Sequence, residues 1–473
     1  MFWKLFERGG RAAVELVVQV VMARLLAPEQ FGALAIMLVF VNIGNVIVQS
    51  GLNTALIQAR EVDSDDCSTV FWMSLVASVV LYLVAFLAAP AVGDFYSMPG
   101  IVWPLRALCL LLVVNAYNSV QVAKVTRDLE MQKVFFATMA SAAISSIVGI
   151  GLALAGAGLW ALVGQQLSYQ GSNCVALAFQ VDWKPGFVFK MERAKEFLGF
   201  GWRLLASGLL DQCYQSLSDL IVGKQFSASS LGLVSQGKKY PQAIGSVLDG
   251  AIQPVMLSAV AHVRDDAGAV KRLVRRALKT STFLIAPAMV LFACLAPSLV
   301  PLLLGSQWGE AVPFMQMYCL VYALLPIHTT NLQALNGVGR SDLFLKLELI
   351  KKSYGVANLL FCVFVLRDVH LLVASYLLTG VVSTFVNAWP NRRVIGYSYG
   401  EQVRDIAPAF LMSLAAALPT LAIGLLDLSP FVAILIQALF FALVYLLIST
   451  LFRVEAFTYL IDTAKGLLAS RRR

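Results

Sequence analysis

Charge is what this chain has least of. Asp, Glu, Lys and Arg make up 13% of its 473 residues, while hydrophobic residues reach 59%. An ordinary soluble domain carries about 25% charged residues. Mean hydropathy is +0.77, which excludes a soluble globular protein of this length. Histidine is almost missing: His262, His328 and His370 are the only three. The seven cysteines (67, 109, 174, 213, 294, 319 and 362) stand singly, mostly inside apolar runs. They match neither metal-ligand spacing nor a disulfide framework, so no metal site and no cofactor are expected. No polar stretch is long enough to fold as a separate soluble domain. The N-terminus "MFWKLFERGGRAAVELVVQVVMARLLAP" has a basic start but no A-x-A-like cleavage site. It reads as a first membrane helix and not as a removable signal peptide.

What the chain has instead is apolar runs. "STVFWMSLVASVVLYLVAFLAAPAV" (68–92) and "FVAILIQALFFALVYLLISTLF" (431–452) are each long enough to cross a bilayer as a helix. Charge, Pro and Gly divide the chain into about fourteen such spans. They fall near 8–27, 31–57, 69–91, 102–123, 134–155, 158–180, 197–222, 229–261, 277–304, 311–336, 345–366, 369–390, 406–427 and 430–452. The expected fold is an all-α polytopic membrane protein. With the N-terminus inside, most of the 36 lysines and arginines lie on the cytoplasmic side, Lys346, Lys351 and Lys352 among them. Arg24, Arg106, Lys224 and Arg367 fall near the opposite ends. The remaining three, Arg203, Lys238 and Lys239, fall within spans. Both termini are then cytoplasmic, and the net charge of +9 reports topology and anionic lipid, not nucleic-acid binding.

Two stretches match at an offset of two hundred residues: "VVMARLLAPEQFGALA" (20–35) and "LIVGKQFSASSLGLVS" (220–235). Arg24 aligns with Lys224, Phe31-Gly32 with Leu231-Gly232, and Asp65-Asp66 with Asp265-Asp266. A parallel repeat follows, with an N-lobe of six spans over 1–180 and a linker at 181–196. A C-lobe of six spans covers 197–395, and two further spans with a basic tail cover 396–473. Parallel repeats favour two bundles flanking a central cavity.

Some spans carry polar stripes. Ser235, Lys239, Gln242, Ser246, Asp249 and Gln253 recur at alternating steps of four and three, one face of a helix. Arg203, Ser207, Asp211, Gln215 and Ser218 form a second stripe. Arg8, Arg11, Glu15 and Gln19 form a third, and Asn42, Asn45, Gln49 and Asn53 a fourth. Lipid cannot satisfy such groups, so these faces should meet one another or water. Lys239 would lie about 15 Å into its span, beyond the reach of snorkelling. Lys238 is rotated off the stripe, and Pro241 can expose a carbonyl nearby. Lys239 pairing with Asp211 or Glu15 only to hold helices together would look the same in sequence. Asp65, Asp66, Asp265 and Asp266 read as solvated loop charges or helix caps. His328, near Asn331, reads as a satisfied interior polar group.

The segment "ARLLAPEQFGALAIMLVF…SGLNTALIQAREVDSDDCSTVFW" (23–72) resembles the N-terminal signature of bacterial polysaccharide transporters. These are Wzx-type lipid-linked oligosaccharide flippases of the multidrug/oligosaccharidyl-lipid/polysaccharide exporter superfamily, in the branch resembling the colanic acid exporter. "SLSDLIVGKQFSASSLGLVSQGKKYPQ" (216–242), "PVMLSAVAHVRDD" (254–266) and "GAGLWALV" (156–163) fit the same pattern. The resemblance implies fourteen helices, two six-helix lobes and a central cationic cavity. It also implies transport of an undecaprenyl-pyrophosphate-linked sugar unit across the bacterial cytoplasmic membrane. The family often has one Arg after the L-G motif, where this chain has Lys238-Lys239; the charge is kept but not the bidentate geometry.

The expected substrate-cavity residues are Lys239, Lys238, Arg203, Arg24, Lys224, Gln242, Asn42, Asn45 and Gln49. Cations would face the pyrophosphate, and amides the sugar hydroxyls. Asp211, Asp249, Glu15 and Asp219 are candidates for coupling to H⁺ or Na⁺. The expected partners are membrane lipid, the polyprenyl-pyrophosphate glycan, a polysaccharide polymerase and other assembly proteins. A multidrug/cation antiporter of the same superfamily is the nearest alternative. A glycan polymerase or glycosyltransferase is a more distant one, because outward connections such as "GDFYSMPG" (93–100) leave no room for a catalytic loop. The chain is expected not to be an enzyme.

Overall fold

Helix-stop signals divide the chain as its composition demands. The computed structural model describes residues 2–470 except 50, 60, 61, 129 and 427. The side chains of residues 2–13, 58, 200, 203, 248, 249, 251, 254, 341, 463, 464 and 466–470 lie outside the described set. The helices are α1 (Phe2–Leu25), α2 (Pro28–Gln49), α3 (Leu52–Gln58), α4 (Ser64–Phe95), α5 (Val102–Arg127) and α6 (Met131–Leu154). They continue with α7 (Leu159–Gln180), α8 (Met191–Gln225), α9 (Ala228–His262), α10 (Ala267–Leu304), α11 (Val312–Ala323) and α12 (Leu325–Gly337). The last are α13 (Ser341–Phe361), α14 (Val369–Ala388), α15 (Asn391–Val394), α16 (Tyr399–Gly424), α17 (Pro430–Leu451) and α18 (Glu455–Ser470).

Ten segments among the described residues are long and apolar enough to cross a membrane. The most apolar of them are not the most buried. Only 11% of the α4 window and 22% of the α17 window is buried, and Leu87 and Leu439 are 76% and 70% exposed. In water such faces would drive aggregation; in hydrocarbon they are solvated. The chain is a multi-pass membrane protein with an all-α fold. The helices α1, α7, α8 and α9 are long but fall outside the ten, because polar residues interrupt them. Three of these carry the stripes read from sequence.

The contacts divide the chain into two compact units, Met1–Gly232 and Leu233–Arg473. In the first, α6 packs on α7 and α1, α4 on α5, and α2 on α5 and α8. In the second, α10 packs against α11, α16 and α17, and α14 against α11 and α13. The helix α8, which belongs to the expected lobe at 197–395, lies in the first unit with α2.

Polar helix ends are closed locally. Asp63 N-caps α4, accepting from Asp66 N at 2.7 Å, while Asp66 Oδ2 accepts from Asp63 N at 3.2 Å. This reciprocal capping box satisfies two otherwise open donors. Ser398 and Glu401 do the same for α16. Asp266 caps α10, accepting from Gly268 N and Ala269 N at 2.9 and 3.0 Å.

Of the four aspartates expected as solvated loop charges or helix caps, Asp66 and Asp266 take part in caps, and Asp66 is in addition buried. Asp65 is half-buried and Asp265 is exposed, but Asp66 is 2% exposed. Its carboxylate accepts from Arg193 Nε at 2.8 Å and Nη2 at 2.7 Å. Around it, Trp72 Nε1 donates to Gly186 O and Gly186 N donates to Ser68 Oγ. Lys190 Nζ reaches Asp63 and Asp65 at 2.7 and 3.0 Å. The 181–190 linker is thus laced onto the start of α4. The Lys190 ammonium hydrogen-bonds the Asp63 carboxylate and holds it below the usual range, while Asp63 and Asp65 raise Lys190.

Candidate functional site

The helix α9 explains how one face of a membrane helix can be polar. Its packed side is made of glycine and bulky apolar residues of the second unit. A Cβ on Gly237 would lie 2.8 Å from Phe314 Cβ, and one on Gly245 would lie 3.3 Å from both Tyr322 and Leu325. Gly237 cannot be enlarged without a shift of Phe314 and its backbone, and Gly245 leaves little room, so α9 approaches α11 and α12 closely on that side. Tyr240 and Pro241 are buried in the same unit. The opposite side carries Lys239, Gln242, Ser246 and Gln253, all exposed, and the half-buried Ser235. Lys239 lies about 17 Å along α9 from Ala228. Lys238, rotated away, is half-buried. The two lysines are physically distinct, as their spacing implies.

In the first unit, α2 presents Asn42, exposed, and Asn45 and Gln49, half-buried. Asn45 is already engaged: Asn115 Nδ2 of α5 donates to its Oδ1 at 2.8 Å. Buried carbonyl oxygens of Asn53, Asn115 and Asn118 have no hydrogen-bond partner among the described residues. A buried unsatisfied group costs roughly 1–3 kcal/mol, so this polar zone has hydrogen-bonding capacity to spare. On α8, Gln215 Nε2 donates to Asp211 Oδ2 at 2.6 Å, as their spacing of four predicts. Asp219 is half-buried, and Glu15 and Arg24 are exposed.

Lys224 sits about 20 Å along α8 from Asp211. Its Nζ donates to Phe95 O at the end of α4 and lies 4.6 Å from the Phe95 ring centroid. Nearby, Tyr96 OH donates to Leu220 O at 3.2 Å. Lys224 therefore acts as a cation at the open carbonyl end of a helix. The side chains of Arg203 and Asp249, and those of Arg8 and Arg11, lie outside the described residues.

The repeat has a structural counterpart inside the first unit. A Cβ built on Gly32 would overlap Ala228 O, and one built on Gly232 would overlap Pro28 O. Residues 28 and 32 of α2 meet residues 228 and 232 at the start of α9, each glycine against the other helix's earlier carbonyl. Both pairs keep the offset of two hundred residues. The contact is reciprocal because a glycine on each helix lets the two backbones approach at the same crossing.

Sequence reasoning passed over one set of charges. Lys351 and Lys352, assigned to a cytoplasmic segment, lie in α13 about 15 Å from its start at Ser341. Lys351 Nζ pairs with Glu348 Oε1 at 2.5 Å, and their side chains are only 15% and 28% exposed. The i, i+3 spacing inside the span at 345–366 was the available signal. Next to α13, a buried amide cluster joins α12, α14, α15 and α16. Asn331 Nδ2 donates to Gln402 Oε1 at 2.9 Å, and Asn391 Nδ2 to Asn331 Oδ1 at 2.5 Å. Asn387 Nδ2 meets His328 Nδ1 at 3.1 Å, in keeping with an interior polar role for that histidine.

Chemically, the α9 face offers an ammonium donor amid amides and hydroxyls, suited to phosphate oxygens and sugar hydroxyls. Among the described residues no group of three or more His, Cys, Asp or Glu is placed to hold a metal ion.

Comparison with known proteins gives this arrangement a context. Succinoglycan biosynthesis transport protein ExoT of Rhizobium meliloti (strain 1021) is 24% identical over 349 residues, covering 74% of this chain and 71% of that protein. Lipopolysaccharide biosynthesis protein WzxC of Escherichia coli (strain K12) is 22% identical over 417 residues, covering 87% and 84%. Among solved structures, lipid II flippase MurJ in an inward closed conformation superimposes with a TM-score of 0.77 at 14% identity. That match covers 95% of this chain and 98% of MurJ, and establishes a shared fold. An inward-facing multidrug resistance MATE family transporter of the MOP superfamily follows at a TM-score of 0.59 and 16% identity, covering 82% and 94%. The sequence profile described as "Polysaccharide biosynthesis protein" matches residues 21–313, more than half of the chain, which therefore belongs to that family.

Proposed function

We propose that this protein is a flippase for undecaprenyl-pyrophosphate-linked oligosaccharide units in the bacterial cytoplasmic membrane, serving exopolysaccharide, capsule or O-antigen synthesis. The observation that carries the reading is the α9 face, where Lys239 stands exposed among Gln242, Ser246 and Gln253 on a helix of a membrane protein. A pyrophosphate-linked glycan needs a wet, positive path, and its polyprenyl tail needs lipid. Lys239 supplies counter-charge, and the amides and hydroxyls of α9 and α2 exchange hydrogen bonds with sugar hydroxyls. The names of the relatives, a succinoglycan biosynthesis transport protein and a lipopolysaccharide biosynthesis protein, and the MurJ-like fold support the same reading. The cargo crosses by alternating access without chemical change, and both termini face the cytoplasm. Asp211, Asp219 and Glu15 are the residues we assign to coupling with H⁺ or Na⁺. Partners are the lipid-linked glycan and the polymerase and assembly proteins that receive it.

The test has two arms. Lys239→Ala should abolish glycan export while leaving membrane insertion intact; undiminished export would remove Lys239 from the mechanism. Mass spectrometry of lipids co-purifying with the wild type should find a polyprenyl-pyrophosphate glycan. A small organic cation in its place would favour a multidrug antiporter.

A further inference from the structure

Near the end of the second unit, α10, α16, α17 and the start of α18 enclose a cavity of about 650 Å³. Its walls include Met412, Ala415, Ile448 and Phe452, and are predominantly apolar. Four of its lining residues are charged: Lys279, Asp405, Arg453 and Glu455.

Three of the four are mutually satisfied. Lys279 Nζ contacts Asp405 at 3.2 Å and Glu455 at 2.6 Å. Asp405, 5% exposed, also accepts from Arg275 Nε and Nη2 at 2.7 and 2.8 Å, and from Tyr397 OH at 2.7 Å. Arg453 is the exception. Its guanidinium has no partner among the described residues, and it is an exposed lining residue. It also takes a left-handed backbone conformation, φ 47°, at the turn between α17 and α18, one that non-glycine residues rarely adopt.

We propose that this cavity is a binding site for a glycerophospholipid of the surrounding leaflet, with the phosphate on Arg453 and acyl chain along the apolar walls. The chemistry follows from the lining. A small anion would satisfy Arg453 but leave the apolar volume unfilled. A neutral apolar molecule would fill the volume and leave the cation unpaired. A lipid phosphodiester does both, because arginine presents two parallel donors to two phosphate oxygens. The volume lies within the range of small-molecule pockets, about 300–1,000 Å³. Such a lipid is a resident of the fold and not the transported cargo. It ties the first turn of α18 to α16 and α17 at the membrane surface. The proposal rests on the membrane reading and is independent of Lys239.

Native mass spectrometry of the full chain in detergent tests it, with dioleoylphosphatidylethanolamine and, separately, dioleoylglycerol, which lacks the phosphate. Arg453→Gln should weaken the phospholipid about tenfold and leave dioleoylglycerol unchanged, since one charge-assisted bidentate contact is lost. Ala415→Phe, which fills the cavity, should weaken both lipids. Equal phospholipid binding by wild type and both variants would overturn the assignment. So would undecaprenyl phosphate displacing the phospholipid at one-tenth its concentration, since the pocket would then belong to the transported lipid.

Discussion

Replacing Arg193 with alanine should destabilise the first unit by about 2 kcal/mol. The figure is bracketed by two limits. Exposed ion pairs are worth roughly 0.2–1 kcal/mol, whereas removing one partner of a fully buried pair costs roughly 3–5 kcal/mol. The Asp66 side chain is 3% exposed, close to the buried limit, but Arg193 is 30% exposed, and water screens part of the interaction. Without Arg193, Asp66 keeps its capping-box contact with Asp63 N and the favourable end of the α4 dipole, which offsets some of the loss. For a unit of this size, about 2 kcal/mol corresponds to a fall in Tm of roughly 4–8 °C. Scanning fluorimetry of the purified protein would read it. Asp66→Asn should cost about half as much, and the double variant should show a coupling energy of about 1 kcal/mol. Because Asp66 is shielded from solvent, 0.5 M salt should not erase the difference. A Tm shift below about 1 °C for Arg193→Ala, or a coupling near zero, would refute the reasoning.

Gly232→Ala would force a methyl group against Pro28 O, and Gly32→Ala would do the same against Ala228 O. Each should cost about 1–3 kcal/mol or more, because backbone must move, read as lost thermal stability or lost folded yield. Gly305→Ala, where no atom lies nearby but φ is 103°, is the control for backbone strain without a clash. The Asp63–Lys190 contact predicts a pH window. Asp63 is held below its ordinary 3.8, so its contribution is full above that value and is lost as pH falls through the lowered one. Lys190 is held above its ordinary 10.5, so its contribution is full below that value and is lost as pH rises through the raised one. The Tm difference between wild type and Lys190→Ala should therefore be flat between these limits and shrink beyond both. A difference that does not change with pH would count against the pair.

Much of the local organisation was legible in the residues. A chain so poor in charge and so rich in apolar runs must satisfy its backbone internally, and without water only helices do that over such lengths. The stripes on α2, α8 and α9 follow from helical period alone. Their exposure on α9 depends on what packs behind them, and Gly237 and Gly245 gain meaning only once Phe314 and Tyr322 stand opposite. The burial of Asp66 was invisible for a similar reason: its partner Arg193 lies 127 residues away. Lys351 and Lys352 were counted by side of the membrane, and the pairing of Lys351 with Glu348 one turn away on the same helix was not drawn from the sequence.

The sequence by itself determined that the chain crosses a membrane as helices and which faces of those helices are polar. These are properties of neighbours within one or two helical turns, where composition and period decide the free energy. Tertiary structure alone decided which polar groups are used up within the protein and which remain open. Lys224 is held on Phe95 O, Asn45 on Asn115, and Lys279 between two carboxylates, while Gln242 and Arg453 are exposed. The partners come from distant parts of the chain, and the strength of a charge or amide in a membrane protein depends on whether such a partner has arrived.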